Sequence, residues 1–168
     1  MDDKSLEVIV GELLRQRGLR LALAESCTGG LLGHWITNVP GSSTYFVGGV
    51  IAYAYEAKVR LLGVRWETLE KHGAVSQETV LEMARGARRA LAADIGLAVS
   101  GVAGPGGGMP GKPVGFTWIG LSTPDTEQAW SYVWEGDRLR NKELSAEQAL
   151  RLLADYLESP VEQHHGRS

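Results

Sequence analysis

The sequence predicts a single layered α/β/α domain with a mixed sheet. Apolar runs of strand length alternate with segments whose apolar residues recur at helical spacing, which is how a sheet and its covering helices are written. Two late strand-like runs are separated only by the short connection Thr123-Pro124-Asp125-Thr126, so an antiparallel hairpin joins strands otherwise linked by helices. A chain of 168 residues, 43% of them hydrophobic, can enclose one real core, and two domains would be a squeeze.

Each element has its own justification. Leu6, Ile9, Val10, Leu13 and Leu14 share one helical face, and Gly18 follows as a C-cap. Leu21 to Ala24 is a short buried strand. Leu31, Leu32, Trp35 and Ile36 mark a helix opening near Gly29 and stopping before Pro40. Tyr45 to Tyr53 is apolar and β-branched enough for a strand, and Glu56 to Leu62 reads as helix. Ser76 is an N-cap, with Val80, Met83, Ala84, Ala87 and Leu91 along one face of a long helix. Leu97 to Ser100 returns to the sheet, and Val114 to Ser122 and Gln128 to Trp134 form the hairpin strands. Asp137 caps a last helix carried by Ala146, Ala149, Leu150, Leu153 and Leu157. The domain is expected to span residues 1–159, with 160–168 a polar, frayed tail.

Two loops rich in small residues each follow a strand: Glu25-Ser26-Cys27-Thr28-Gly29-Gly30, and the glycine-rich run from Ser100 to Gly108. Glycine lets a backbone approach a ligand closely, and open α/β sheets bind ligands at the carboxyl ends of their strands. Ser100, Gly101 and Gly104 are therefore read as facing a substrate; the alternative is a flexible surface loop. The run Gly106 to Lys112 fits the spacing of a nucleotide P-loop, and Gly106, Gly108 and Gly111 fit a dinucleotide fingerprint. Both motifs need a following helix, and here Pro113 and a strand follow instead.

Ser26 stands where a strand turns into a helix, which suits either an N-cap or a nucleophile with the Gly29 and Gly30 amides as oxyanion donors. Thr28 is an alternative cap or a phosphate contact. Cys27 competes as a nucleophile, with His34 or His72 as partner, although a small buried thiol is the plainer reading. Ser43, after Pro40-Gly41, either bonds substrate or stabilises the turn. Arg138 and Arg140 begin the last helix, where cations oppose the helix dipole by a few tenths to about 1 kcal/mol. An anion such as a nucleotide phosphate would reverse that penalty; solvation alone is the other reading.

Glu25-Ser26-Cys27-Thr28-Gly29-Gly30, Pro40-Gly41-Ser42-Ser43, Gly49-Val50-Ile51-Ala52-Tyr53, Lys58, Gly73-Ala74-Val75-Ser76, Gly101 to Gly107 and Lys112-Pro113-Val114-Gly115 stand in the order found in the CinA carboxy-terminal domain family. The chain resembles that family from about Leu6 to Leu157. The resemblance implies a nicotinamide-nucleotide amidase, which converts nicotinamide mononucleotide and water to nicotinate mononucleotide and ammonia. It makes Ser26 the nucleophile, Lys58 its base and Tyr53 an assisting group, and it favours Arg140 as the phosphate contact. Without it, Lys58 would read as a solvated lysine and Tyr53 as a core or edge aromatic. After Tyr53 the family commonly has Ser-Asn, and here Ala54-Tyr55 stands.

A homodimer is also implied, as is the alternative of a catalytically silent nucleotide-binding module, since some relatives fuse this domain to a larger nucleotide-processing one. The substrate expected is a small mononucleotide. The net charge of −3 argues against a general nucleic-acid surface. The lone Cys27 permits no internal disulfide, and no apolar run reads as a signal peptide or membrane span, so a cytoplasmic protein without a membrane partner is expected. No cluster of His, Cys and Asp has zinc-ligand spacing, so neither metal nor other cofactor is expected.

Overall fold

The computed structural model describes residues 3–159. It contains α1 (Leu6–Arg17), β1 (Leu21–Glu25), α2 (Leu31–Thr37), β2 (Phe46–Ile51), α3 (Tyr55–Leu62), α4 (Trp66–His72), α5 (Gln77–Ala90), β3 (Ile95–Gly101), β4 (Phe116–Ser122), β5 (Glu127–Val133) and α6 (Arg138–Glu158). The sheet has five strands in the order β2-β1-β3-β4-β5. β1 pairs in parallel with β2 and β3, whereas β4 pairs antiparallel with both β3 and β5. The mixed sheet and the hairpin are thus as the sequence predicts.

Strand alternation sorts the side chains into two unlike faces. Leu21, Leu23, Ile95, Leu97, Val99, Ile119 and Leu121 are buried with α1, α2 and α6. Ala22, Ala24 and Ala98 face the other way, with α3, α4 and α5. Gly96 and Gly120 share that second face, and it is small for a reason. A Cβ on Gly96 would come within 1.9 Å of the Ala84 carbonyl oxygen, and one on Gly120 within 2.9 Å of the Val80 carbonyl oxygen. The backbone of α5 therefore lies directly on the sheet, where larger residues could not fit.

The helix ends follow from local chemistry. Gly18 closes α1 at φ 64°, the left-handed conformation that glycine adopts most cheaply. The Ser76 hydroxyl accepts from the Thr79 amide and the Asp137 carboxylate from the Arg140 amide, caps worth about 1 kcal/mol each. The sequence reading passes over α4, because its only buried residues are Thr68 and Leu69, too few to establish a period. β4 begins at Phe116 rather than Val114, since Gly115 sits at φ 91° and breaks the extended run. The expected tail lies outside the described residues.

Candidate active site

Alternation along β1 also sets up the site. Glu25 shares parity with Leu21 and Leu23, so its side chain turns toward α2. There its carboxylate accepts from the Thr28 hydroxyl at 2.6 Å, the Leu32 amide at 2.9 Å and the Gly33 amide at 3.1 Å. Ser26 continues the strand by one more bond, its amide donating to Val99 O at 3.0 Å, and so takes the opposite parity toward α3.

Lys58 waits on that side. It is 1% exposed, and its Nζ lies 3.0 Å from Ser26 Oγ, 2.8 Å from Ala52 O and 2.9 Å from Tyr53 O. No carboxylate pairs with it among the described residues. Burial pulls the ammonium pKa from 10.5 down to about 8, against a weaker upward pull from Cys27. A neutral lysine has two hydrogens and one lone pair. Two carbonyls and one hydroxyl match that set, leaving the lone pair for the serine.

Cys27 is unlike its neighbour. Burial is the main cause pushing its thiol up to about 12, with Glu25 adding to the rise. It stays protonated at neutral pH. His34 is exposed, and His72 Nδ1 lies 3.6 Å from the Glu78 carboxylate. Neither pairs with the thiol, so Cys27 has no base beside it of the kind Ser26 has in Lys58.

Beside Ser26 is a cavity of about 240 Å³ lined by Cys27, Tyr53, Gly101 to Gly104, Gly106, Gly107 and Arg138. Gly101 and Gly104 are thus cavity-lining residues. Arg138 holds this wall together, donating to Gly104 O at 2.6 Å and to the Tyr53 hydroxyl at 3.2 Å. Asn141 helps from the same helix, donating to Ala103 O at 3.0 Å.

Several expected residues are differently employed. The Gly29 amide donates to Ser26 O at 3.1 Å and is not available as an oxyanion donor; the Thr28 and Gly30 amides have no partner among the described residues. Thr28 donates its hydroxyl to Glu25 and does not cap α2. Ser100 is buried and donates to Ala74 O at 2.8 Å, tying β3 to the loop before α5. Ser43 is exposed in the short 3-10 turn Ser42–Thr44 and does not line the cavity. Arg140 turns outward to Glu143 at 3.2 Å, whereas Arg138 lines the cavity. Tyr53 enters through its carbonyl on Lys58, while its hydroxyl meets Arg138 rather than Ser26. Ala54 caps α3 through its backbone alone, and Tyr55 packs against Trp66 with ring centres 6.5 Å apart.

No group of three or more His, Cys, Asp or Glu that could hold a metal ion occurs among the described residues. No helix among them is long and apolar enough to cross a membrane.

The family model of the CinA C-terminal domain matches residues 3–157. A CinA-like protein of Chloroherpeton thalassium is 49% identical over 159 residues, covering 92% of this chain and 38% of its own length. A CinA-like protein of Desulforapulum autotrophicum is 51% identical over 151 residues, 89% of this chain and 36% of the relative. The chain thus spans well under half the length of these curated relatives. Among solved structures, a CinA superfamily protein from Klebsiella pneumoniae aligns with TM-score 0.88 and 36% identity, covering 90% of this chain and 95% of that one. One from Escherichia coli aligns with TM-score 0.85 and 31% identity, covering 92% of each.

Proposed function

Because the chain belongs to the CinA C-terminal domain family, we propose that it is a nicotinamide-nucleotide amidase that hydrolyses nicotinamide mononucleotide to nicotinate mononucleotide and ammonia. The observation that carries this reading is the 3.0 Å contact between Ser26 Oγ and a carboxylate-free, buried Lys58 Nζ.

In the neutral state Lys58 donates to Ala52 O and Tyr53 O and receives the Ser26 proton. The serine oxygen then attacks the carboxamide carbon, and the unpartnered Thr28 and Gly30 amides are the nearest backbone donors for the developing oxyanion. As the tetrahedral centre collapses, the Lys58 ammonium returns its proton to the departing nitrogen, which leaves as ammonia. Water attacks the resulting ester as Lys58 takes a proton from it, and when the ester C–O bond breaks Lys58 passes that proton to the departing Ser26 oxygen, leaving the free serine and the carboxylate product. A direct attack by water, with Ser26 binding the amide, uses the same base. Tyr53 assists by placing its carbonyl on the amine and by bracing Arg138.

No metal or organic cofactor enters this scheme. A homodimer in the cytoplasm is part of the proposal. The other reading, a silent nucleotide-binding module, would need no base held at the serine. Ammonia release from nicotinamide mononucleotide, its riboside and the dinucleotide separates the two: turnover of the mononucleotide is expected, and binding of it without ammonia would mean a silent module.

A further inference from the structure

Asn141, near the start of α6, is 1% exposed, and both ends of its side chain are committed. Its Oδ1 accepts from the Gly136 amide at 2.9 Å, and its Nδ2 donates to Ala103 O at 3.0 Å. One partner can only donate and the other only accept, so the amide has a single orientation and no carboxylate can stand in for it. One turn along, Ser145 Oγ donates to Asn141 O at 2.8 Å and accepts from Trp134 Nε1 at 3.0 Å. The Trp134 amide donates to Gly115 O at 3.0 Å, and the Gly115 amide to Val102 O at 2.7 Å. These bonds make a circuit that leaves the cavity wall at Val102 and returns to it at Ala103.

The final bond of that circuit sets the direction of one peptide group. The Ala103–Gly104 bond is trans, so its C=O and N–H lie in one plane and point opposite ways. Asn141 draws the carbonyl behind the wall, since Ala103 and Gly104 line the cavity and Asn141 does not. The Gly104 N–H is thereby turned to the front, where it has no partner among the described residues. Gly104 is itself buried, and an unpaired N–H there is costly until something in the cavity accepts it.

We propose that Asn141 is a positioning residue for substrate: it holds the Ala103–Gly104 peptide so that the Gly104 N–H meets an acceptor on the part of the substrate away from the reacting carboxamide. The inference rests on the amidase reading and adds to it a residue whose bonds reach neither Ser26 nor Lys58. Its loss should therefore fall on binding more than on the chemical step.

Two substitutions separate positioning from support. Asn141→Asp is isosteric, keeps an acceptor for Gly136 and sets an oxygen against Ala103 O, so it breaks the tie to the wall. Ser145→Ala breaks the circuit one turn away and leaves that tie in place. Calorimetry with nicotinamide mononucleotide on the Ser26→Ala background, ammonia release with Ser26 intact, and Tm are measured for both. Asn141→Asp should weaken Kd and raise KM about three- to tenfold, the loss of one neutral hydrogen bond, with kcat lowered less than about twofold. Ser145→Ala should lower Tm by several degrees while moving Kd less than about twofold. By NMR of isotope-labelled protein, the Gly104 amide resonance should shift when the mononucleotide is added, and should not in Asn141→Asp. If Asn141→Asp does not fold, Asn141→Ser, whose shorter side chain falls short of Ala103 O, carries the same expectations.

Equal weakening of Kd by Ser145→Ala, a loss in kcat with KM unmoved, or a Gly104 resonance indifferent to the mononucleotide would overturn the inference. If the mononucleotide binds with a Kd that depends on Asn141 but no ammonia is released, the amidase reading fails and the positioning role stands. If it is hydrolysed with Kd and KM indifferent to Asn141→Asp, the amidase reading stands and the positioning role fails. A wild-type protein that neither binds nor hydrolyses it removes both.

Discussion

The loop after β1 and the loop after β3 are both rich in small residues, but they build the cavity in opposite ways. In the first, Ser26, Cys27 and Thr28 are buried, and the carboxylate of Glu25 secures the turn from beneath. In the second, residues 105–111 are exposed, Met109 forms a reciprocal backbone pair with Lys112, and the ends are held by Arg138, Asn141 and the backbone pairs of Val102 with Phe116 and Gly115. One loop presents reactive side chains on a fixed turn; the other presents backbone as a wall. Glycine content alone would have equated them.

The largest effect should come from the first loop. Ser26→Ala is expected to lower kcat by about a thousandfold or more, while Cys27→Ala, which removes a protonated thiol, should cost only a few-fold. Steady-state ammonia release on folded variants decides it, and the reverse ranking would put the chemistry on sulfur. Lys58 follows closely. Its burial-lowered pKa of about 8 means that the neutral amine gains population as pH rises, so kcat should climb to a plateau above about pH 8. Lys58→Arg should reduce kcat by about a hundredfold or more and remove that limb, because guanidinium keeps its proton. An unaltered rising limb in the arginine variant would remove Lys58 from the role of base.

Glu25→Gln sharpens the contrast, because it touches the turn without touching substrate. A glutamine offers one acceptor oxygen where three donors now converge, and hydrogen bonds to a charged group contribute about 1.5–3 kcal/mol. Roughly tenfold loss of kcat and a Tm lowered by about 3–10 °C are expected. A variant with native kcat would mean that the loop holds its shape unaided.

The second loop should respond in stability at its base and scarcely at its tip. A Cβ on Gly115, at φ 91°, would meet Trp134 O at 1.9 Å, so Gly115→Ala should lower Tm by several degrees. Gly106 has open space around it, and Gly106→Ala should move Tm by less than about 1 °C and kcat/KM by less than about twofold. Equal sensitivity at the two glycines would erase the distinction between anchored ends and free tip.

Much of this is legible in the sequence because it depends on period and on caps. Alternation in Leu21 to Ala24 and in Leu97 to Ser100, the caps at Ser76 and Asp137, and the short hairpin connection all act through neighbours a few residues away. The Ser26–Lys58 contact is legible only through family resemblance. It spans 32 residues and depends on β2 delivering α3 to the correct side of β1. Glu25 escapes notice as a positioning group, although the same alternation that buries Leu21 and Leu23 turns it toward α2. The resemblance favours Arg140 over Arg138, yet it is Arg138 that lines the cavity; which of two residues in a first turn faces a loop depends on how the helix is seated, and helical spacing gives no origin for that angle.

α6 extends that seating far from the site. The same helix that brings Arg138 to the cavity and Asn141 to the back of its wall buries Ala146, Ala149, Leu150, Leu153 and Leu157 in the core, and Leu157 O accepts from Arg17 on α1 at 3.2 Å. Displacing the helix itself therefore requires part of the core to open, which places it among the rarer motions of the fold. Residues 105–111 lack that tether and belong to the nanosecond-to-microsecond regime of exposed loops. Traffic through the cavity is thus divided by timescale: the helix side is a fixed jamb, and whatever enters or leaves does so past the glycines.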